Sequence, residues 1–295
     1  MNIIEIYEKF PTQEICIEHL EQVRWQGQPK CVYCGSDKTS RQKEKKRQSR
    51  WQCSKCKKSF SVTVDTIFHK THIDLQKWFL LIALMLNAKK SLSACQAARD
   101  LGMNRPTVWR MMHRIRKVMD SQSDLLYGIV EMDETYIGGK PRKNNDKNKN
   151  DVNDNKRGRG TKKKVVVGML EREGNVKATS LLDNLKSKSL EKLVRDNIDI
   201  SKSILMTDEF KGYLSMNKII KHRVINHQNK YVNGDIHTNV IESFWALLKR
   251  GIIGQFHKVS SKYLEKYIDE FCFRFNARFL TQNQLFNMTL DNAVN

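Results

Sequence analysis

Four cysteines near the N-terminus restrict the fold of this chain more than any other feature. Cys31 and Cys34 enclose two residues, and Cys53 and Cys56 repeat that spacing after an interval of eighteen residues. The pattern Cys-x2-Cys-x18-Cys-x2-Cys falls within the spacing range of structural zinc sites. Four thiolate ligands leave no open coordination position, so we expect one structural Zn²⁺ and a zinc ribbon. An iron–sulfur centre or a redox dithiol is the alternative.

The charge balance predicts a polyanionic partner. The 295-residue chain has 53 lysines and arginines against 32 acidic residues, which gives a net charge of +21. Nucleic acid fits this excess best, because the sequence has neither a basic amphipathic anchor nor a lipidation signal. No apolar run reaches the roughly 18 residues of a membrane span, and the N-terminal apolar stretch is broken by acids, unlike a secretory signal. We therefore expect no membrane association.

Residues 91–118 have the pattern of a helix-turn-helix. The first predicted helix ends at Gly102, which supplies a positive φ, and Pro106 suits the first turn of the second helix. Basic side chains surround an apolar stripe on the second helix, which favours placement in the DNA major groove over an ordinary helical bundle. The residues on this helix that we expect to contact DNA are Arg105, Thr107, Arg110, Arg114 and Lys117.

Residues 128–139 predict a strand that carries three acids in an apolar setting. A carboxylate is costly to bury unless it is paired or holds a cation. We take Asp133 as the candidate metal ligand. Strand alternation sends Glu134 to the opposite face, and Glu131 is expected at the outer end of the strand, so neither is assigned to the site. Residues 140–164 follow as a flexible, basic insertion, which suits transient contact with the DNA backbone.

Two later acids complete the candidate site. Asp208 ends a second apolar strand, and Glu242 lies on a helix predicted for residues 235–250. At about 100° per residue, Asn239, Glu242 and Lys249 share one face of that helix. Carboxylates from three elements can converge on two Mg²⁺ ions about 3.5–4 Å apart, which is the arrangement used to cleave phosphodiesters. Lys249 is then placed to hold a substrate phosphate.

These motifs resemble those of the ISXO-like insertion-sequence transposases of bacteria. The resemblance rests on the four-cysteine ribbon, the helix-turn-helix and the segments 132–139, 207–213 and 237–251. It implies an RNase H-like core of the DDE type, cutting at element ends that depends on Mg²⁺ or Mn²⁺, and strand transfer into target DNA. The partner is then double-stranded DNA, bound by a homodimer or higher multimer in the bacterial cytoplasm, at the nucleoid.

The resemblance assigns the catalytic triad to Asp133, Asp208 and Glu242, with Lys249 as the downstream basic residue. Some members of this branch are described with asparagine in the third position, and Asn239 lies on the same helical face as Glu242. Charge favours Glu242, because two divalent cations require a third anion. Lys249 and Arg250 are also expected to contact DNA.

We therefore expect a multidomain chain with an α/β catalytic domain built on a mixed sheet. The expected parts are an N-terminal helix with the zinc ribbon (1–62), the helix-turn-helix region (63–125), the catalytic domain (126–280) and a C-terminal tail (281–295). Two other functions share these features. One is a DNA-binding regulator or domesticated transposase without strand-transfer activity, and the other is a structure-selective nuclease or resolvase.

Overall fold

A computed structural model describes residues 1–42, 50–119, 124–138, 163–181, 185–225 and 237–295. The chain forms two compact units. We call Met1–Asp120 together with Ala277–Asn295 the ribbon–helix unit, and Ser121–Asn276 the sheet unit. Residues 43–49 and 139–162, which include most of the predicted basic insertion, lie outside the described residues. Among the described helices, none is long and apolar enough to cross a membrane.

The helices and strands are, in chain order, α1 (Ile3–Lys9), α2 (Gln13–Trp25), β1 (Thr39–Gln42), β2 (Arg50–Cys53), β3 (Ser59–Phe60), α3 (Leu75–Asn87), α4 (Ala94–Asp100), α5 (Arg105–Lys117), β4 (Leu126–Ile137), β5 (Lys164–Glu171), β6 (Val176–Leu181), α6 (Ser187–Asn197), β7 (Ile198–Thr207), β8 (Lys221–Val224), α7 (Asn239–Gly251), α8 (Leu264–Asn276) and α9 (Gln282–Val294). A 3-10 helix, Lys211–Lys218, follows β7, and a short π-helix, Ile252–Phe256, follows α7.

The ribbon–helix unit contains, after α1 and α2, a small antiparallel sheet in the order β1-β2-β3. Trp25, at the end of α2, packs edge-on against Trp51 and Phe60 of this sheet. The guanidinium of Arg24 donates to the backbone carbonyls of Val62 and Val64, each at 2.7 Å. Because α2 is tied to the residues after the ribbon in this way, the ribbon and the following helices form one unit, whereas the sequence predicted a boundary at residue 62.

The C-terminal residues are part of the ribbon–helix unit, and the predicted tail at 281–295 was wrong. These residues form α9, which Thr281 caps through its side chain. Phe286 packs with Phe10 and Phe79, at ring-centroid distances of 6.3 and 5.9 Å. The apolar residues of this segment recur at helical spacing, so α9 buries a face in the core instead of extending into solvent.

The sheet unit contains a five-stranded mixed sheet in the order β6-β5-β4-β7-β8. The central strand β4 pairs antiparallel with β5 and parallel with β7, and β8 continues the parallel half. This architecture confirms the α/β domain with a mixed sheet that the sequence predicted.

Alternate residues of the central strands lie on opposite faces of the sheet. Val166 and Leu170 of β5 belong to a core that includes α7 and α8. Val167 and Met169 belong to a second core that includes α6 and the 3-10 helix. Helices thus cover both faces, and each side chain of β4 is assigned to a face by its position in the alternation.

Candidate catalytic metal centre

The four ribbon cysteines converge. Their Sγ atoms all lie within 4.8 Å of one another, with 3.6 Å between Cys31 and Cys56 and 3.7 Å between Cys34 and Cys53. A tetrahedral zinc with Zn–S bonds of about 2.3 Å requires sulfurs about 3.8 Å apart. Backbone N–H groups directed at Cys53, first that of Cys56, lower the pKa of this thiol to about 6. The arrangement fits one structural zinc bound by thiolates.

Helices α4 and α5 stand where the sequence predicted two helices joined by a turn. Ser93 and Asn104 cap them by accepting hydrogen bonds from the N–H groups of Gln96 and Thr107. Gly102, between the helices, has a φ of +59°, which explains the glycine at this position. That this pair reads DNA remains a proposal.

The predicted DNA-contacting residues of α5 differ in their surroundings. Arg105, Arg110 and Lys117 are exposed, and Thr107 is half-buried. Arg114 is exposed too, but its Nη1 donates to the carbonyls of Ile67 and His69 at 3.0 Å. It therefore also holds α5 to the turns that precede α3.

Three carboxylates of the sheet unit form a compact group where β7 ends beside β4, which itself continues to Ile137. Ligand oxygens of Asp133, Glu134 and Asp208 lie within 4.8 Å of one another. The parallel register explains why: the last β4–β7 pair is Glu131 with Met206, and continuing it by two residues brings Asp133 level with Asp208. The structure therefore brings together Asp133 and Asp208, two of the three acids that were expected to converge.

The carboxyl group of Asp133 has a pKa well above its usual value. Burial, followed by the negative charges of Glu134 and Asp208, raises its pKa to about 7. The indole Nε1 of Trp245, on α7, donates to its Oδ2 at 3.0 Å. Gly168 is the register partner of Asp133 on β5, and a Cβ there would lie 2.6 Å from the indole of Trp245. The glycine thus leaves the space through which the indole reaches the carboxylate.

Glu134 is part of the group, although the sequence argument had set it aside. Its alternation was predicted correctly, because Glu134 accepts a 2.8 Å hydrogen bond from the hydroxyl of Tyr213, a residue of the core on the other face. Its carboxylate nevertheless reaches the two aspartates. Burial, followed by the negative charge of Glu134, raises the pKa of Tyr213 well above its usual value, so the phenol keeps its proton for this bond.

Glu131 was also misplaced by the sequence argument. Strand β4 starts at Leu126, so Glu131 lies in its middle, and its side chain is fully buried. The carboxylate accepts hydrogen bonds from the N–H groups of Val240 and Ile241, and from Nε of Arg172. A run of acids in a sequence does not show which of them has such partners, because all of these partners are distant in the chain.

Helix α7 presents the remaining candidate residues on one exposed face. Asn239, Glu242, Lys249 and Arg250 are all exposed, while Trp245 and Ile241 are buried. Within the described part of the chain, Glu242 does not belong to the compact group of three acids; its Oε1 lies 3.4 Å from the hydroxyl of Thr238, which donates to it. Glu242, Trp245 and Lys249 are spaced i, i+3 and i+7 and so follow one stripe of the helix.

The chain matches two family models. Residues 125–276 match the ISXO2-like transposase domain, and residues 11–59 match the transposase zinc-ribbon domain. The chain belongs to the ISXO2-like transposase family. The first match corresponds almost residue for residue to the sheet unit and contains the three acids, and the second contains the four cysteines. The resemblance inferred from the motifs is confirmed, as is the zinc ribbon.

This ISXO2-like chain is similar to one curated relative and, more weakly, to several solved structures. An uncharacterized protein in transposable element ISH50 of Halobacterium salinarum is 26% identical over 261 residues, covering 86% of this chain and 88% of that protein. The Mos1 strand transfer complex is similar with a TM-score of 0.30 and 10% identity, covering 73% of this chain and 78% of that one. A pre-cleavage Mos1 transpososome is similar with a TM-score of 0.27 and 12% identity, covering 72% of this chain and 78% of that one. TM-scores this low establish no shared overall fold.

Proposed function

We propose that this protein is a DDE-type DNA transposase that cuts the ends of its insertion sequence and joins them to target DNA. The observation that carries the proposal is the group of Asp133, Glu134 and Asp208, whose ligand oxygens meet beside the carboxyl end of β7. Family membership supplies the reaction class, and the sheet order with helices on both faces supports an RNase H-like core.

The donor set fits hard divalent cations. Carboxylate oxygens are the ligands that Mg²⁺ and Mn²⁺ prefer. The pKa of Asp133 is raised by burial and then by the negative charges of Glu134 and Asp208, which a cation would neutralise. When bound, two such ions neutralise the phosphodiester and activate the attacking oxygen. Asp133 and Asp208 would hold these ions, and Glu134, oriented by the hydrogen bond from Tyr213, adds negative charge beside them.

Helix α7 supplies the last acid of the triad. Glu242 follows the same helical stripe as Trp245, whose indole contacts Asp133, so Glu242 faces the border of the acidic group. Its negative charge makes it a better third ligand than Asn239, which contributes a neutral carboxamide near the scissile phosphate. Lys249 continues the stripe and binds a substrate phosphate, and Arg250 binds the flanking DNA backbone.

The ribbon–helix unit recognises the terminal inverted repeats. Helix α5 exposes Arg105, Arg110 and Lys117, with Thr107 and Arg114 beside them, and enters the major groove of double-stranded DNA. The excess of positive charge supports nonspecific contact with the phosphate backbone. Paired element ends require a dimer or higher multimer, and the work is done on nucleoid DNA in the cytoplasm.

The test uses Asp133→Ala and Asp208→Ala in the full chain, with DNA that carries the inverted repeats flanking the gene. Each variant is expected to lose Mg²⁺-dependent cleavage by a factor of about 10³ or more while retaining DNA binding in a gel-shift assay. Glu209→Ala is the matched control, because Glu209 is an exposed acid next to Asp208. Cleavage at the wild-type rate in either aspartate variant would refute the site, and cleavage without joining to target DNA would favour a nuclease or resolvase.

A further inference from the structure

Glu131 makes an unusual connection between the central strand and helix α7. Its side chain has no exposure to solvent. Oε2 accepts hydrogen bonds from the backbone N–H groups of Val240 and Ile241, each at 3.0 Å. Oε1 accepts a 2.7 Å hydrogen bond from Nε of Arg172. Burying a carboxylate costs free energy unless its oxygens accept hydrogen bonds in this way, so breaking these contacts would be strongly unfavourable.

These contacts replace the usual cap of the helix. Thr238 stands at the N-cap of α7, and its side chain makes no capping hydrogen bond. The first N–H groups of a helix lack intrahelical acceptors and carry partial positive charge. Glu131 satisfies two of them from a strand more than 100 residues earlier in the chain. The N-terminus of α7 is therefore fixed by β4 and not by its own preceding residues.

Arg172 extends the connection to the residues just before the helix. Its Nη2 donates to the carbonyl of His237 at 2.8 Å, and Nδ1 of His237 lies 3.2 Å from Oε1 of Glu131. The approach to α7 is thus held by the same buried group that holds its first turn.

The spacing of two contacts shows what this anchoring does. Glu131 and Asp133 lie on the same face of β4, about 6.6 Å apart along the strand. Their partners on α7 are the amides of Val240 and Ile241 and the indole of Trp245, which are separated by about 7 Å of helix rise. Because the two spacings agree, α7 lies alongside β4 with two fixed points, and it can neither slide nor rotate without breaking one of them.

We propose that Glu131 is a positioning residue of the metal centre, which places the third acid by fixing the first turn of α7 on β4. Glu242 lies between the two fixed points in the sequence of α7, so both determine its position. Glu131 touches neither the metal ions nor DNA in this role. The inference rests on the proposed function, because it assigns Glu131 a part in positioning a proposed metal ligand.

The experiment compares Glu131→Gln with Glu265→Gln in the full chain. Glu265 is the matched control, because its carboxylate also accepts several hydrogen bonds, from Thr179 and Ser180, but ties α8, not α7, to the sheet. Four quantities are measured for each variant. They are the hydrogen-exchange rates of the Val240 and Ile241 amides, the affinity for Mn²⁺, the rate of single-turnover cleavage and the dissociation constant for DNA.

We expect Glu131→Gln to accelerate exchange of both amides at least tenfold, weaken Mn²⁺ binding at least threefold and slow cleavage at least tenfold, with DNA affinity unchanged within twofold. Glu265→Gln is expected to lower the melting temperature without these effects. Wild-type cleavage and Mn²⁺ affinity in Glu131→Gln, or equal losses in Glu265→Gln, would overturn the proposal.

If Glu131→Gln does not fold, Arg172→Lys replaces it. This variant is expected to change amide exchange, Mn²⁺ affinity and cleavage in the same directions, each by about threefold, and wild-type values of all three would overturn the proposal. If the wild-type protein cleaves no DNA, the proposed function fails, while exchange and Mn²⁺ affinity still decide the role of Glu131.

Discussion

The indole Nε1 of Trp245 donates a 3.0 Å hydrogen bond to Oδ2 of Asp133, so a residue of α7 orients one oxygen of the proposed metal ligand. The contact exists because the strand residue opposite Asp133 is Gly168. Any other side chain would occupy the volume that the indole fills. The metal centre, helix α7 and a glycine of β5 are therefore a single packed arrangement.

Trp245→Phe tests this hydrogen bond. Phenylalanine retains an aromatic ring and removes the N–H, so we expect cleavage to slow about tenfold and the free energy of unfolding to fall by about 1–3 kcal/mol, the value of a hydrogen bond to a charged group. Single-turnover cleavage and urea unfolding measure the two effects. Trp51→Phe is the control, since that indole donates to Glu21 in the ribbon–helix unit. Equal losses of cleavage in both variants would contradict the assignment.

Gly168→Ala tests the space beside Asp133. The added Cβ would lie 2.6 Å from Cη2 and 2.7 Å from Cζ2 of Trp245, which forces the indole to move. Overpacking of this kind costs about 1–3 kcal/mol, and cleavage is expected to fall with it. Gly254→Ala is the control, because a Cβ there has no neighbour within 4 Å. Denaturant midpoints and cleavage rates are compared, and a Gly168→Ala variant as active and stable as the control speaks against the packing described.

The pKa of Asp133 predicts how cation binding depends on pH. This pKa is about 7 in the absence of a cation, and a cation binds the deprotonated form. As the pH falls below 7, the cation must displace a proton, so the apparent dissociation constant for Mn²⁺ is expected to rise about tenfold per pH unit. Calorimetric titrations between pH 8 and pH 5.5 measure it. A dissociation constant that stays flat across this range would show that Asp133 does not bind the ion.

The same pKa predicts a pH-dependent gain in stability for Asp133→Asn without divalent cations. Because the folded-state pKa is raised to about 7, the folded protein keeps a proton that the unfolded chain releases above the ordinary value of 3.8. The wild-type protein therefore loses stability as the pH rises from about 4 to 7, while the asparagine variant does not. We expect the two to be equal near pH 4 and the variant to be more stable by roughly 2–4 kcal/mol at pH 8. Thermal unfolding with a chelator at both pH values is the measurement, and equal stability at pH 8 would disprove the shift.

Cys31→Ser tests the zinc ribbon. Loss of one thiolate is expected to release the zinc and unfold the ribbon, because binding of structural zinc is also folding free energy. Metal content and circular dichroism measure the change. The buried thiol Cys272→Ser, in the sheet unit, is the control and should retain zinc. Full zinc content in Cys31→Ser would show that the ribbon cysteines do not bind the metal.

Patterns that are local in the chain predicted much of the fold. The cysteine spacing predicted the ribbon, Gly102 and Pro106 marked the turn between α4 and α5, and apolar runs ending in acids marked β4 and β7. Each of these signals depends on a few neighbouring residues. The convergence of Asp133 with Asp208 was expected from the order of the elements that carry the acids, whereas the parallel register that brings the two residues level was not predicted.

Long-range pairing explains what the sequence argument missed. Glu131 and Glu134 were set aside because alternation along one strand shows only the face on which a side chain lies. Their roles come from Ile241 and Tyr213, which follow more than 75 residues later. Likewise, the need for glycine at position 168 follows only from the strand register, which places this residue opposite Asp133 and under the indole of Trp245. Helix α9 was read as a tail because its packing partners are at the other end of the chain.

The position of α9 has a consequence for the order of synthesis. Its core contacts lie with Phe10 and Phe79, so the ribbon–helix unit is assembled from two segments that the sheet unit separates in the chain. A ribosome therefore delivers the whole sheet unit before the last helix of the ribbon–helix unit can join its core. The nascent chain completes the proposed cutting machinery first and the proposed recognition unit afterwards. A chain that lacked α9 would therefore lose part of the core that contains Phe10 and Phe79.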